Sequence, residues 1–137
     1  IISLGEADIK RQGADITVVT YSYMVNVAMK AAEILKNDHI SIEVIDIRCL
    51  SPLDINTITE SVKKTGNVLV LTQACQTGCF AEHIAYEIQN HVFDYLDSPV
   101  QVLGALNVPP PMAQRLENVH LPSPQKVVAT VKGILNR

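Results

Sequence analysis

ITVVTYSYMVNVAMKAAEILKNDHISIEVIDI, residues 16–47, carries the pattern from which the fold follows. Its first five residues are a short β-branched run, apolar on both sides of the chain, as a strand buried on both faces requires. Val25, Ala28, Met29, Ala32 and Leu35 then recur at helical spacing, and 41–47 returns to a strand. A strand that leads through a helix to another strand predicts a parallel pair with the helix packed on one face.

The alternation continues downstream. Pro52 and Asp54 punctuate a turn, and 54–64 reads as a helix with Asp54 as N-cap. A third strand is expected at 67–72, NVLVLT. Beyond a loop with Gly78, residues Ala81, Ile84, Ala85, Ile88, Val92 and Leu96 mark a long amphipathic helix. Pro99 opens a fourth strand, 99–103. Residues 105–122 include Pro109, Pro110, Pro111 and Pro122, which lack amide donors, so an irregular surface stretch is expected there. Ser123 and Pro124 suit the N-cap and first position of a last helix carrying Val127, Val128, Val131, Ile134 and Leu135. Residues 1–12 alternate weakly and are read as an added edge strand or hairpin. The predicted fold is α/β, a three-layer αβα sandwich with a mostly parallel sheet.

Composition bounds the rest. With 137 residues and 47% hydrophobic content, the chain suffices for one core, read as a single domain over 1–137. Eleven basic against 14 acidic residues, a net charge of −3, give no footprint for nucleic acid. No run reaches the roughly 18 apolar residues of a membrane span. Three cysteines, an odd number, suit reduced thiols better than a disulfide framework. The first residue is Ile1 rather than Met, and a removed upstream segment is expected.

Ligands of open parallel sheets bind beyond the carboxyl ends of the strands. The loop Thr20-Tyr21-Ser22-Tyr23 offers hydroxyls to an anion but lacks a phosphate loop's glycines, and N-capping by Ser22 is the favoured reading. In the next loop Asp46 and Arg48 are expected to fix the backbone by a charge-assisted hydrogen bond. In the third, Thr77 and Gly78 shape the turn into the following helix. Cys75, Cys79 and His83 recur every four residues, but Gly78 breaks the helix between the thiols and no fourth zinc ligand is evident. Buried or idle thiols are favoured over a metal site or a thiol nucleophile. The residues alone predict an α/β sandwich with no self-contained active site.

Taken in order, the segments resemble the C-terminal domain of the transketolase superfamily, and within it the beta subunits of 2-oxoacid dehydrogenases. The phrases that carry the resemblance are GADITVVTY at 13–21, MV at 24–25, EVIDIR at 43–48 with SPLD at 51–54, SVKKTG at 61–66, FDYLDSPV at 93–100 and NVPPP at 107–111. Each is weak alone; their order and spacing are specific. One stretch departs. Where branched-chain-type members resemble His-Glu-Ala-Pro-x-Thr-Gly-Gly-Phe, this chain has Thr72-Gln73-Ala74-Cys75-Gln76-Thr77-Gly78-Cys79-Phe80, losing the carboxylate. The surviving Thr77-Gly78-x-Phe80 is similar to the branched-chain or acetoin type more than to the animal pyruvate type.

The resemblance implies an enzyme whose thiamine diphosphate and Mg²⁺ lie between an alpha subunit and the beta subunit's N-terminal domain, with no cofactor, metal or catalytic residue in this domain. It implies as partners the alpha subunit, a second beta subunit and the acyltransferase's subunit-binding domain, and a homodimer when isolated. The bacterial cytoplasm or the mitochondrial matrix is the expected location. Interface candidates are Pro109, Pro110 and Pro111, a segment held extended in advance, with Leu135 and Arg137 on the last helix. Asp94 and Asp97 are candidates for meeting a basic docking domain. Two alternatives stand beside this: another thiamine-dependent transketolase-superfamily enzyme, or a flavodoxin-like nucleotide-binding module, which the missing glycine-rich loop disfavours.

Overall fold

The computed structural model describes residues 3–136. Five strands form one sheet: β1 (Asp8–Arg11), β2 (Ile16–Thr20), β3 (Ile42–Asp46), β4 (Val68–Cys75) and β5 (Gln101–Ala105). Their order is β1-β3-β2-β4-β5. The last four are mutually parallel, and β1 runs antiparallel along the edge of β3. The N-terminal stretch thus supplies the expected edge strand. Strands β2, β3 and the first five residues of β4 are buried almost throughout, because helices cover both sides.

Helices α1 (Met24–Lys36) and α5 (Pro124–Leu135) share one face, and α2 (Ile55–Thr65) and α3 (Phe80–Val92) share the other. Ile16, Val18, Ile42, Val44, Leu69 and Leu71 point to the first pair. Val19, Ile45, Val68 and Val70 point to the second, since successive strand residues alternate sides. This is the αβα sandwich read from the sequence.

Local chemistry sets the ends. Asp54 caps α2, accepting from the Thr57 amide at 3.1 Å, and Gly66 closes it in the left-handed conformation at φ 70°. Ser123 accepts from the Lys126 amide, with Pro124 at the first turn of α5. Gly13 passes so close to β3 that an added Cβ would lie 2.1 Å from the Ile42 carbonyl carbon.

Four expectations are corrected. Ser22 does not cap α1: it takes φ 56°, its carbonyl accepts from the Val25 amide, and the helix begins without a side-chain cap. The fourth strand starts at Gln101, not 99, because Pro99 has no amide to enter the ladder. The long amphipathic helix stops at Val92, and Phe93–Tyr95 forms a 3₁₀ turn, leaving Leu96 beyond it. The proline-rich stretch is not wholly irregular, for α4 (Gln114–His120) lies between Pro111 and Pro122.

Candidate functional site

The carboxyl edge of the sheet is where β4 and β5 hand over to their loops. Between Leu71 and Cys75 the ladder slips: four residues of β4 advance against two of β5, pairing Cys75 with Ala105. The Thr72-Gln73-Ala74 stretch forms this bulge, with the Thr72 hydroxyl accepting from the Ala74 amide at 3.2 Å. Thr72 is wholly buried and shares a 2.8 Å hydrogen bond with the Tyr21 hydroxyl, while Gln73 is exposed. The position that departs from the family phrase is therefore part of the packing here. Thr20 donates to the Leu71 carbonyl at 2.9 Å, so two of the first loop's hydroxyls serve the fold rather than an anion.

Beyond the bulge, Thr77 and Asn107 clasp reciprocally: the Thr77 amide donates to Asn107 Oδ1 at 3.0 Å, and Asn107 Nδ2 to the Thr77 hydroxyl at 2.8 Å. The Gln76 amide donates to the Ala105 carbonyl, and Gly78, at φ 75°, donates to Glu82 Oε2 at 2.8 Å. Thr77 and Gly78 thus carry three of this loop's hydrogen bonds. Cys75, Thr77, Asn107, Val108, Pro109 and Pro110 line an open groove of about 460 Å³. Cys75 Sγ faces the Val108 carbonyl and Cys79 Sγ the Gln76 carbonyl, and His83 tilts against the Phe80 ring.

The Asp46–Arg48 reading is corrected in its atoms. Asp46 Oδ1 accepts from the Arg48 amide at 3.1 Å, but the Arg48 guanidinium turns to Asp8, 2.6 Å away. Arg48 itself sits at φ 53°. The hydrogen bond from Lys10, with help from Arg48 and against partial desolvation, holds the Asp8 carboxyl below its ordinary range.

On either side of Asn107 and beyond, Leu106, Val108, Met112, Leu116 and Val119 are exposed, Met112 completely. They form an apolar ridge over the carboxyl edge, with Pro109 and Pro110 exposed and Pro111 half-buried among them. Leu106, Val108, Pro109, Pro111, Leu116, Val119 and His120 line a second pocket of about 230 Å³. The sequence reading missed this helix and its ridge. The signal was present in Leu116, Val119 and His120 at helical spacing, but neighbouring prolines masked seven residues of helix.

The other candidates lie elsewhere. Asp94 and Asp97 are exposed beside a groove with Phe93, Leu96, Ser98 and Pro99, at the amino edge of the sheet. The structure does not bring them to the proline segment. Leu135 is half-buried against the α1–α5 core. Arg137 lies outside the described residues. Among the described residues no three His, Cys, Asp or Glu are placed to share a metal ion, and no helix is long and apolar enough to cross a membrane.

A parallel sheet between two helix pairs, with an antiparallel edge strand and a looped carboxyl edge, defines the class of αβα sandwich domains. The sequence profile of the transketolase C-terminal domain matches residues 5–127, and the chain belongs to that family. It is 42% identical over 133 residues to the pyruvate dehydrogenase E1 component subunit beta of Rickettsia bellii (strain RML369-C), covering 97% of this chain and 41% of that one. Identity is 40% to the subunit of the same name from Bacillus subtilis (strain 168), covering 98% of this chain and 41% of that one. It is 38% to that organism's 2-oxoisovalerate dehydrogenase subunit beta, with the same coverage. The chain spans about two fifths of the length of these relatives. A split-gene transketolase solved as an inactive beta4 tetramer superposes with TM-score 0.85 at 23% identity, over 98% of this chain and 44% of that one, a likeness of fold.

Proposed function

We propose that this chain is the C-terminal assembly domain of the beta subunit of a 2-oxoacid dehydrogenase, where it joins subunits and docks the complex's acyltransferase. Decarboxylation and acyl transfer to lipoyl groups belong to the whole enzyme. The observation that carries the reading is the ridge of Leu106, Val108, Met112, Leu116 and Val119, exposed beside the three prolines on a chain whose relatives are named as beta subunits. An apolar patch of this kind marks an interaction surface. The second beta subunit and the alpha subunit are its proposed partners, and Asp94 and Asp97, at the opposite edge, are the proposed acidic contact for the acyltransferase's subunit-binding domain. Thiamine diphosphate and Mg²⁺ serve the parent enzyme. The proposed setting is the bacterial cytoplasm or the mitochondrial matrix.

Sedimentation of the chain over a range of concentrations, then titration with an acyltransferase subunit-binding domain at low and high salt, tests this. A dimer and a salt-weakened contact are expected. A chain that stays monomeric when concentrated and also ignores the docking domain would sink the proposal. For the substrate, Thr77-Gly78-Cys79-Phe80 favours a branched-chain 2-oxoacid, while the relatives are named for pyruvate as well as 2-oxoisovalerate. Steady-state kinetics of the reconstituted parent enzyme separate them. A higher kcat/KM on pyruvate would overturn the branched-chain reading.

A further inference from the structure

β5 ends the sheet, and among the described residues no strand lies along its outer edge. Successive residues of a strand turn their backbone groups to opposite edges. The Ala105 carbonyl accepts from the Gln76 amide on the β4 side, whereas the Leu106 amide turns away and donates to the His120 carbonyl. By that alternation Gln101, Leu103 and Ala105 face β4, and Val102 and Gly104 present their amides and carbonyls to the open edge. Among the described residues no backbone group meets those of Val102 and Gly104 there. An open edge is a template for a further strand, and chains that avoid such pairing defend it with charge or a bulge. The opposite edge is defended in that way: β1 carries Asp8, Lys10 and Arg11, and its ladder slips between Ile9 and Arg11. β5 (QVLGA) has no charge, and Val102 and Leu103 stay half-buried although they pack on the two cores.

We infer that β5 pairs antiparallel with β5 of a second copy of this chain, about a two-fold axis at Leu103, so that one sheet runs through both copies. The register follows from the ends of the strand. The His120 carbonyl already holds the Leu106 amide, and Pro99 has no amide to give, so the ladder is confined to 101–105. Centred on Leu103, Val102 of each copy lies opposite Gly104 of the other. Both pairs are of the kind that exchanges two N–H···O bonds, which satisfies the outward groups of Val102 and Gly104. Side chains agree with that register. The two Leu103 side chains meet on the α1–α5 face as a close, non-hydrogen-bonded pair, and each Val102 stands across from a glycine that leaves it room. A stretch that matches itself when reversed is what a two-fold contact requires, and this selects a second copy as the occupant. The ladder by itself buries far less than the roughly 1,200 Å² of a stable interface. Continuing the register sets the exposed Leu106 and Val108 of each copy beside Val100 and Pro99 of the other, so the apolar ridge joins the same contact. The inference rests on the assembly reading above only in taking the second copy to be a second beta subunit.

Two measurements on the full chain test this. In the first, Leu103→Cys and Gln101→Cys are each incubated with oxidised glutathione, and linked peptides are identified by mass spectrometry. Leu103→Cys should cross-link to itself, because residues directly opposite in such a pair lie within disulfide reach. Gln101→Cys should not, since the two-fold axis sets its copies about 13 Å apart along the strands, beyond the roughly 7 Å a disulfide spans. Failure of the first link, or equal yield of the second, would overturn the inference. The second measurement needs no substitution: amide exchange of the unsubstituted chain, dilute and concentrated. Exchange at Val102 and Gly104 should slow about tenfold or more in the concentrated sample, with the Leu103 amide, already bonded to β4, little changed. A chain that sediments as a dimer while Val102 and Gly104 exchange as in the monomer would overturn this inference alone and leave the assembly reading standing. Protection of the two amides in the dilute chain on adding an acyltransferase subunit-binding domain, and not on concentrating it, would put another protein's strand at the edge and overturn the choice of a second copy.

Discussion

Glu43 is 1% exposed in the middle of β3, yet its carboxylate is ionised and fully engaged. Burial alone would raise its pKa. The Lys64 ammonium, the Ser61 hydroxyl and the Gly13 amide outweigh that penalty and hold the carboxyl below the usual glutamate range. A folded-state pKa depressed below the unfolded one contributes stability that is present above the unfolded value and lost as pH falls through the folded one. Glu43→Gln should therefore cost about 1–2 kcal/mol at neutral pH, since Lys64 keeps water and Gln still accepts a hydrogen bond. In urea titrations the gap between the two proteins should narrow as pH falls from the unfolded glutamate's pKa, about 4.3, through the lower value of the folded carboxyl. A gap independent of pH would show that the pair contributes shape alone. Next to it, Gly13→Ala forces a Cβ into the backbone of Ile42 and Glu43, and a loss of about 3 kcal/mol is expected from the same titration.

At the scale of elements, α2 is fastened at its start by one carboxylate. Asp54 accepts from the Thr57 amide, the Thr57 hydroxyl at 2.6 Å and the Ala7 amide at 3.0 Å, so it joins the helix to the N-terminal segment. Asp54→Ala should cost about 2 kcal/mol, the upper range for a cap, and thermal unfolding measures it. Along the inner face of α2, Ser61 and Thr65 bond to the Thr17 hydroxyl at 2.7 and 2.8 Å, which fixes the helix on β2. The Thr77–Asn107 clasp plays the matching part at the carboxyl edge. Its removal in Asn107→Ala should leave global stability within about 1 kcal/mol, because the pair is exposed. Hydrogen exchange at the Thr77 amide should nonetheless quicken severalfold; an unchanged rate would show that the loop is held by its other bonds.

At the scale of the whole molecule, the described residues form two small helix–sheet cores back to back, and the 106–119 segment adds the exposed apolar side chains Leu106, Val108, Met112, Leu116 and Val119. Val119→Glu places a charge on that segment at a side chain that is 60% exposed, so the fold should tolerate it within about 0.5 kcal/mol. Association in sedimentation should fall at least tenfold, since a desolvated charge at an apolar contact carries a penalty of more than about 1.4 kcal/mol. An unaltered association constant would move the interface elsewhere, with the amino-edge groove of Phe93, Asp94 and Asp97 next in line.

The period of the apolar residues was enough to order the strands and helices and to require a parallel sheet covered on both faces, because a buried strand and an amphipathic helix impose different spacings on the chain. The caps at Asp54 and Ser123 were legible for the same reason: they act within one helical turn. What the sequence could not give acts between distant segments. Arg48 turns to Asp8 across 40 positions rather than to its neighbour Asp46, and Thr72 finds Tyr21 only once β2 and β4 are side by side. The helix over 114–120 owes its place to the packing of His120 against the chain near Leu106, whose amide donates to the His120 carbonyl at 3.1 Å. A seven-residue helix is too short to form on its own propensity, so its existence, and the pocket beneath it, were decided by tertiary contact.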